Sequence, residues 1–468
     1  MIGLEKSAIE RKSKRKTVVF DRFAAPYGSL GESAFGITGG EGGGLRSSET
    51  LYAKTMVNCD LSQGALRSGV GASVVTDGAG KNVRVSESNI TKIFCVRFQG
   101  GAQEGGKDFF AFLRGDGYLL YYDEETAELS AKGIMGNDTS CVFLRSIKGE
   151  ERYLFVGSNN ARFLSPTGVF GSAPFGEYIG VVCACKNRLF AVKKEGKLAY
   201  SSPTEPWTFR DDIDDSGYIL LPSALGTPIT LLAVGEYVYV FFKHAIKRLR
   251  VAGNARDFVL EDIVYSGGQI IKGSVCAVEN GVIFLAKDGL WKAQGTDLQP
   301  IGRTLDIILD EGVEECQAAV CEGKYFFRYR TIGGLYQSFV AELDGKSWCF
   351  SYDLIGLSQG NGTAFFVRGG RLYRLGGSKF LVGGTPMFES VKTEFGVRGQ
   401  KTLRRLEFSG VGTLQITVDC DGKKFTREAS FAGGRAIIPI TMRGNAFSFA
   451  MRLADQAIVT GVRADVEY

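Results

Sequence analysis

Few residues in this 468-residue sequence could perform acid–base or nucleophilic chemistry. It contains one histidine, His244, in the stretch FFKHAIKRL. That stretch is predicted as a hairpin turn, and a general base also needs an orienting partner and a nucleophile that the sequence does not display. Serine–histidine–aspartate or cysteine–histidine catalysis would have to use His244, and a metal site with several histidine ligands is excluded. We therefore predict no catalytic residues and no enzyme activity.

Clustered carboxylates occur in RDDIDDSG, which carries Asp211, Asp212, Asp214 and Asp215. Hard cations such as Ca²⁺ bind clustered carboxylates, but the spacing is not that of an EF-hand, and charge runs usually form solvated loops. The glycine-rich GGEGGG lacks the GK[ST] and the preceding strand of a phosphate loop. We predict no metal and no cofactor. A carboxylate pair for glycoside hydrolysis stays open, since such residues pair in space.

The N-terminus is basic. Residues 1–22 hold seven lysines and arginines against three acidic residues, so they carry +4 of the formal net charge of +5. Phosphate groups or an acidic protein surface could bind such a cluster, and a solubilising tail is the alternative. The predicted contact residues are Arg11, Lys12, Lys14, Arg15 and Lys16.

One aromatic residue is a second candidate for contact with a partner. In YSSPTEPWTFRDD, Pro203, Pro206 and Trp207 form a rigid connection that we expect to be exposed. Trp207 could be a packing plug between neighbouring repeats or a contact for a partner protein.

The elements that must position these residues are β-hairpins. A run of β-branched and aromatic residues, a polar turn and a second run is the pattern of a hairpin, and glycine supplies the positive φ of the turn. The chain has 63 glycines and 10 prolines. Seven such hairpins occur, at residues 108–123, 152–165, 187–202, 237–251, 281–295, 325–343 and 363–377.

These hairpins recur roughly every 35 to 50 residues, and a unit of about four strands is the size of one β-propeller blade. We predict an all-β protein: a β-propeller of about six to eight blades, with a C-terminal β-sandwich and an extended N-terminal arm. Lipocalin-like barrels and stacked sandwiches are the alternatives. The best candidate for a helix is Arg303 to Glu315.

Changes in composition divide the chain into three predicted segments. Residues 1–50 are a basic, Gly-rich arm, residues 51–384 form the propeller, and residues 385–468 form the sandwich from short alternating strands. The stretch LYAKTMVNCDLSQGALRSGVGASVV at the start of the propeller could supply the strand that closes the ring.

The ten cysteines form no CxxC pair and lie mostly in apolar runs. No signal peptide is visible, so we expect reduced, buried thiols. The most apolar region, residues 218–242, is broken by prolines and glycines and is not a membrane span.

Three successive stretches resemble a known family. They are LAYSSPTEPWTF, ILLPSALGTPITLLAVGEYVYVFFKHAIKRLRVAG and YSGGQIIKGSVCAVENGVIFLAKDGLWKAQG. VNCDLSQGALRSGVG and KTLRRLEFSGVGTLQITVDCDGK fit the same pattern at the two ends. The order resembles the propeller-type tail hub, or packaged-DNA-stabilisation, proteins of tailed bacteriophages.

The resemblance implies a structural protein of the virion, located in the tail or neck. Such hubs form rings, commonly sixfold, below the portal and connector. The ring continues the DNA channel and helps to retain packaged DNA. The implied partners are other copies of the chain, the portal or connector, other tail proteins and packaged DNA. Two alternatives are a propeller that binds or cleaves glycans and a cytosolic interaction scaffold.

Overall fold

The computed structural model describes residues 14–24, 48–61, 65–86, 89–98, 108–173, 178–207, 209, 215–302, 313–331, 334–343, 348–351, 353–360, 362–377, 385–454 and 456–468. The chain forms two compact units. Residues 71–379 form one, which we call the propeller unit. Residues 1–70 together with 380–468 form the other, which we call the terminal unit.

The terminal unit contains strands from both ends of the chain. Its first four strands are β1 (Arg15–Ala24), β2 (Ser48–Val57), β3 (Cys59–Asp60) and β4 (Leu66–Ser68). Its last seven are β33 (Met387–Ser390), β34 (Lys401–Val411), β35 (Thr413–Cys420), β36 (Lys423–Ser430), β37 (Arg435–Gly444), β38 (Phe447–Leu453) and β39 (Ile458–Glu467).

Among its described residues, the propeller unit contains six separate four-stranded antiparallel sheets and a further set of four antiparallel strands, which we count as its sixth sheet. The first sheet is β6 (Ile90–Arg97), β7 (Asp108–Arg114), β8 (Tyr118–Asp123) and β9 (Glu128–Ile134). The second is β10 (Ser140–Arg145), β11 (Glu151–Val156), β12 (Ala161–Leu164) and β13 (Phe170–Ala173). The third is β14 (Tyr178–Cys185), β15 (Arg188–Lys193), β16 (Lys197–Tyr200) and β17 (Gly217–Leu220). The fourth is β18 (Thr230–Val234), β19 (Tyr237–Phe241), β20 (Ile246–Arg250) and β21 (Val259–Ile263).

The remaining sheets follow in chain order. The fifth is β22 (Cys276–Val278), β23 (Gly281–Ala286), β24 (Gly289–Gln294) and β25 (Asp297–Gly302). The sixth is β26 (Val313–Cys321), β27 (Lys324–Thr331), β28 (Tyr336–Glu342) and β29 (Trp348–Phe350). The seventh is β30 (Ile355–Gly360), β31 (Thr363–Arg368) and β32 (Arg371–Leu375), and β5 (Ala72–Val74) from the beginning of the unit completes it. The helices in the described residues are single 3₁₀ turns, Ser223–Leu225 and Ala255–Asp257.

The sheets form a closed ring. From the second sheet to the seventh, the first strands of consecutive sheets lie beside one another, and β30 of the seventh sheet lies beside β6 of the first. The first and second sheets pack together through the rings of Phe94 and Phe155, whose centres are 5.3 Å apart. The first strands therefore surround a central axis. Ser358 in β30 accepts a hydrogen bond from the backbone N–H of Ile93 in β6 at 2.8 Å. Because the ring is closed, the first and last sheets cover each other's faces, which would be exposed to solvent in an open arc. The all-β prediction and the propeller class are thus confirmed.

The seven predicted hairpins are the second and third strands of the seven sheets. The second strands are almost entirely buried, as in β7 and β23, because both faces pack against neighbouring sheets. Their turns use glycine where φ is positive, as at Gly196 between β15 and β16 (φ +78°). The predicted closing strand also exists, although it is supplied by the last residues of the proposed stretch, Ala72–Val74.

The strands of the terminal unit follow the order β37-β34-β39-β1-β2-β33-β38-β35-β36. The pairing of β1 with β2 is parallel, and the other pairings are antiparallel. Buried residues alternate along β35 and β37, so one face of each strand is the core face. The rings of Phe20, Phe388, Phe395, Phe447 and Phe449 are buried in this core. The predicted C-terminal sandwich stays a prediction.

Three predictions need correction. The segment 1–50 is not a separate arm throughout, because residues 15–24 form strand β1, which pairs with β39 and β2 inside the terminal unit. The predicted boundaries at 50/51 and 384/385 differ from the observed ones at 70/71 and 379/380. Strands β2 and β4, which lie after residue 50 or extend past it, pair with β33 and β39 of the terminal unit. In the predicted helix 303–315, residues 303–312 lie outside the described residues, and residues 313–315 belong to β26.

Candidate functional site

The N-terminal cations are placed by β1. Arg11 and Lys12 lie outside the described residues. Lys14 exchanges two backbone hydrogen bonds of 2.9 Å with Tyr468 at the end of the chain. Arg15 is exposed at the start of β1, and the Lys16 ammonium donates to the carbonyl of Phe395 at 3.0 Å. Lys16 therefore stabilises the terminal unit, while Lys14 and Arg15 remain accessible for contact with a partner.

The structure describes one carboxylate of the acidic loop, Asp215, and the histidine. Asp211, Asp212 and Asp214 lie outside the described residues. The carboxylate of Asp215 binds the buried guanidinium of Arg188 and accepts the backbone N–H of Ala255 at 2.7 Å. Asp215 is thus a structural ion-pair partner instead of a solvated loop residue, which corrects the expectation for this position. His244 is exposed in the β19–β20 turn, as predicted.

The cysteines behave as core residues. Eight of the nine described free cysteines are buried, and Cys141 is half-buried. Burial raises the pKa of the Cys276 thiol to about 12 and that of Cys185 to about 11, so both are protonated near neutral pH. In the part of the chain that the structure describes, no three histidine, cysteine, aspartate or glutamate side chains cluster as metal ligands would.

The segment before Trp207 is fixed by local hydrogen bonds. The Ser201 hydroxyl accepts the N–H of Leu189 at 2.8 Å and donates to the carbonyl of Pro206 at 3.0 Å. The side-chain amide of Asn187 donates to the carbonyl of Pro203 at 3.1 Å. Ser201 is fully buried, so its two bonds are protected from water. These contacts fix the first part of the connection after β16, from Ser201 to Pro206.

Trp207 is half-buried, which corrects the expectation of an exposed side chain. Its ring lies 4.7 Å from the guanidinium carbon of Arg152 in the second sheet. The Phe163 ring lies 4.8 Å from the same carbon, so the guanidinium contacts two aromatic rings. Beside them is a cavity of about 130 Å³. Its lining residues are Leu144, Arg152, Leu154, Phe163, Ser172, Ala173 and Trp207.

Two exposed apolar residues lie on the same side of the third sheet. Ala199 of β16 packs in the core cluster that includes Trp207, and it pairs with Tyr218 of β17. Because side chains alternate along a strand, Tyr218 and Leu220 share the face of Ala199. Tyr218 is 51% exposed and Leu220 is 69% exposed. Ala199 belongs to the same core cluster as the apolar residues that line the cavity. We call the cavity, together with Tyr218 and Leu220 on the sheet face of Ala199, the Trp207 groove.

The Trp207 groove is mainly apolar. The Lys197 ammonium lies 4.8 Å from the centre of the Tyr218 ring. At the cavity, the polar groups are the Arg152 guanidinium, which pairs with Glu150 at 3.3 Å, and the Ser172 hydroxyl, which accepts from Arg162 at 2.8 Å. Neither is a general base. From the sequence we could predict only Trp207. Arg152 and Phe163 approach it only in the folded protein, where the guanidinium contacts both aromatic rings.

The comparisons with known proteins concern the fold alone. No protein-family model matches the sequence. No curated protein matches it either. Among solved structures, the chain is similar to virginiamycin B lyase from Staphylococcus aureus (9% identity, TM-score 0.41, covering 63% of this chain and 97% of that one). It is also similar to U3-55K (8% identity, TM-score 0.37, covering 63% and 97%).

A third similar structure is BBS1N, crystallised in complex with ARL6DN (10% identity, TM-score 0.38, covering 63% of this chain and 92% of that one). Identities of 8–10% carry no information on activity or partners. Among the described residues, no helix has the length and apolar character that a membrane span requires.

Proposed function

We propose that this chain is a structural subunit of a tailed-phage virion, a tail hub, nozzle or neck protein that assembles into a closed ring below the portal. The resemblance of its blade order to the tail hub family supports this proposal. So does the Trp207 groove, which presents apolar surface at the outer strands of the propeller unit. The ring continues the DNA channel and helps to retain packaged DNA.

The observation that carries the proposal is the exposure of Leu220 and Tyr218 on the sheet face of Ala199, whose core cluster also contains the apolar residues of a small cavity. Apolar patches on a protein surface commonly mark protein–protein contacts. The occupant we propose is an exposed apolar side chain of a second copy. Such side chains occur elsewhere in the propeller unit, at Ile147 (76% exposed) and Val264 (88% exposed). A groove and a distant apolar side chain on one chain form a heterologous contact, which generates rings when the rotation closes.

The remaining partners follow from the resemblance. We propose that the ring contacts the portal or connector and other tail proteins. The accessible cations Lys14 and Arg15 are the described residues best suited to an acidic neighbour or to the phosphates of packaged DNA. No catalytic role is proposed, because the groove contains no general base and His244 is an exposed turn residue.

The experiment compares Leu220→Asp with Val411→Asp in the full chain by sedimentation velocity. Leu220 is 69% exposed in the groove, and Val411 is 64% exposed in the terminal unit. We expect the wild type and Val411→Asp to form a discrete oligomer. Leu220→Asp should be monomeric with an unchanged melting temperature, because the charge is introduced at a surface position. An oligomer that survives Leu220→Asp would show that the groove is not the subunit contact.

A further inference from the structure

Three charged side chains from distant parts of the sequence meet at one end of the central axis. Lys92 is the third residue of β6, Asp138 lies two residues before β10, and Lys272 lies four residues before β22. These are the first strands of the first, second and fifth sheets, and first strands surround the axis. The three residues therefore lie at the end of the axis where the first strands begin. We call them the channel mouth.

An ion pair crosses the axis there. The Lys272 ammonium donates to the Asp138 carboxylate at 2.5 Å, although the residues are 134 positions apart. The second and fifth sheets are separated by other sheets on both sides of the ring, so the contact joins opposite sides. Both side chains are about half exposed, with 51% for Lys272 and 44% for Asp138, so the mouth is open to small solutes.

Lys92 adds an ammonium whose charge is incompletely compensated. Its Nζ donates to the backbone carbonyl of Thr139 at 3.0 Å and lies 5.5 Å from the centre of the Phe94 ring. In the described part of the chain it makes no ion pair, and Asp138 already binds Lys272. Burial lowers the pKa of Lys92; the nearby Cys141 and the Asp138 carboxylate partly oppose this shift, and Lys272 adds a smaller lowering contribution. Burying an ammonium group away from water is unfavourable when no carboxylate of its own replaces the lost hydration.

We propose that the channel mouth binds a small oxyanion, a phosphate or carboxylate group, through the ammonium groups of Lys92 and Lys272. The three side chains carry two positive charges and one negative charge, so one charge remains to be neutralised. A bound oxyanion supplies the missing negative charge and the acceptors that Lys92 has lost from water. Asp138 holds Lys272 in place and, through its own charge, limits the affinity.

The test is calorimetric titration of the full chain with sodium phosphate, at constant ionic strength in chloride. A parallel titration with sodium acetate distinguishes a phosphate site from a carboxylate site. The variants are Lys92→Met, Lys272→Met and Asp138→Asn. Lys148→Met is the matched control, because Lys148 is exposed in the turn between β10 and β11. Thermal denaturation checks that each variant folds. Methionine keeps the apolar stem of Lys92 beside Phe94 without the charge.

The proposal predicts saturable binding of phosphate or acetate to the wild type. Lys92→Met and Lys272→Met should each weaken binding about tenfold or more, because each removes a positive charge within a few ångströms of the anion. Asp138→Asn should strengthen binding several-fold, and Lys148→Met should leave it unchanged. Absence of saturable binding to either anion, or equal affinity in Lys92→Met and Lys148→Met, would overturn the proposal. Weaker binding in Asp138→Asn would also contradict it.

Discussion

Strand β1 gives the sharpest prediction about stability, because it joins the two ends of the chain. Its residues Arg15–Phe20 pair with β39, and Val19–Ala24 pair with β2. Val18, Phe20 and Phe23 are 2–5% exposed. Burying such a side chain stabilises a protein by about 1.5–3 kcal/mol, so the three together contribute roughly 5–9 kcal/mol. That is comparable to the whole free energy of unfolding of a typical domain, about 5–15 kcal/mol.

Two deletions distinguish the contribution of β1 to stability from that of the residues before it. We expect deletion of residues 1–24 to unfold the terminal unit and to leave the propeller unit folded, since β1 makes its ladder contacts within the terminal unit. Deletion of residues 1–13 should leave both units folded, because the described contacts of this region begin at Lys14. Phe20→Ala should cost about 3–5 kcal/mol. Thr17→Ala, which removes one exposed hydrogen bond to Asp465, should cost about 1 kcal/mol or less.

The assay is differential scanning calorimetry combined with limited proteolysis of each variant. The 1–24 deletion should lose the transition of the terminal unit and become susceptible to cleavage after residue 385, while the 1–13 deletion behaves as the full chain does. If the 1–24 deletion retains both transitions at unchanged temperatures, β1 is dispensable and the reasoning from its burial is refuted.

Two further predictions concern buried ionisable groups. Between pH 9 and about 11, the unfolded thiols of Cys185 and Cys276 ionise while the folded ones keep their protons, because burial raises their pKa from 9.0 to about 11 and about 12. The folded state then binds more protons, so each thiol should lower the stability by up to about 1.4 kcal/mol per pH unit as pH rises above 9. The lowered pKa of Lys92 and Lys401 acts in the opposite direction, so urea denaturation compares the wild type with Cys276→Ala. Identical slopes of stability against pH between 9 and 11 in the two proteins would contradict this. Asp215→Ala should lower the free energy of unfolding of the propeller unit by about 3 kcal/mol, because the guanidinium of Arg188 is left buried without its carboxylate. The exposed Asp297→Ala is the control, and equal midpoints for the two variants would show that the Arg188 pair is not stabilising.

The hairpins could be predicted from sequence because their signals are local. An apolar run, a glycine turn and a second run occur within about 15 residues, and the second and third strands of all seven sheets followed this pattern. The outer strands were harder to predict. Strands such as β13 and β17 have four residues each, and their partners are separated from them by loops of variable length.

Strand β1 was missed because its pairing is remote. Arg15 lies opposite Glu467 at the other end of the chain, and no local pattern reports such a partner. The basic residues around it suggested an extended arm, although TVVFDRF contains the β-branched and aromatic residues of a strand.

The candidate sites were predictable only in part. Trp207 stood out because two prolines precede it, whereas Arg152 and Phe163 join it only when the second and third sheets pack together. The channel mouth had no sequence signal, because Lys92, Asp138 and Lys272 come from three different sheets.

The most direct test of the virion proposal is quantitative mass spectrometry of purified phage particles from a host that carries this gene, before and after heads and tails are separated. The proposal predicts that peptides of this chain co-purify with intact particles at a constant, low copy number and remain with the tail or neck fraction. A chain that stays in the soluble cell extract and is absent from the particles would contradict it.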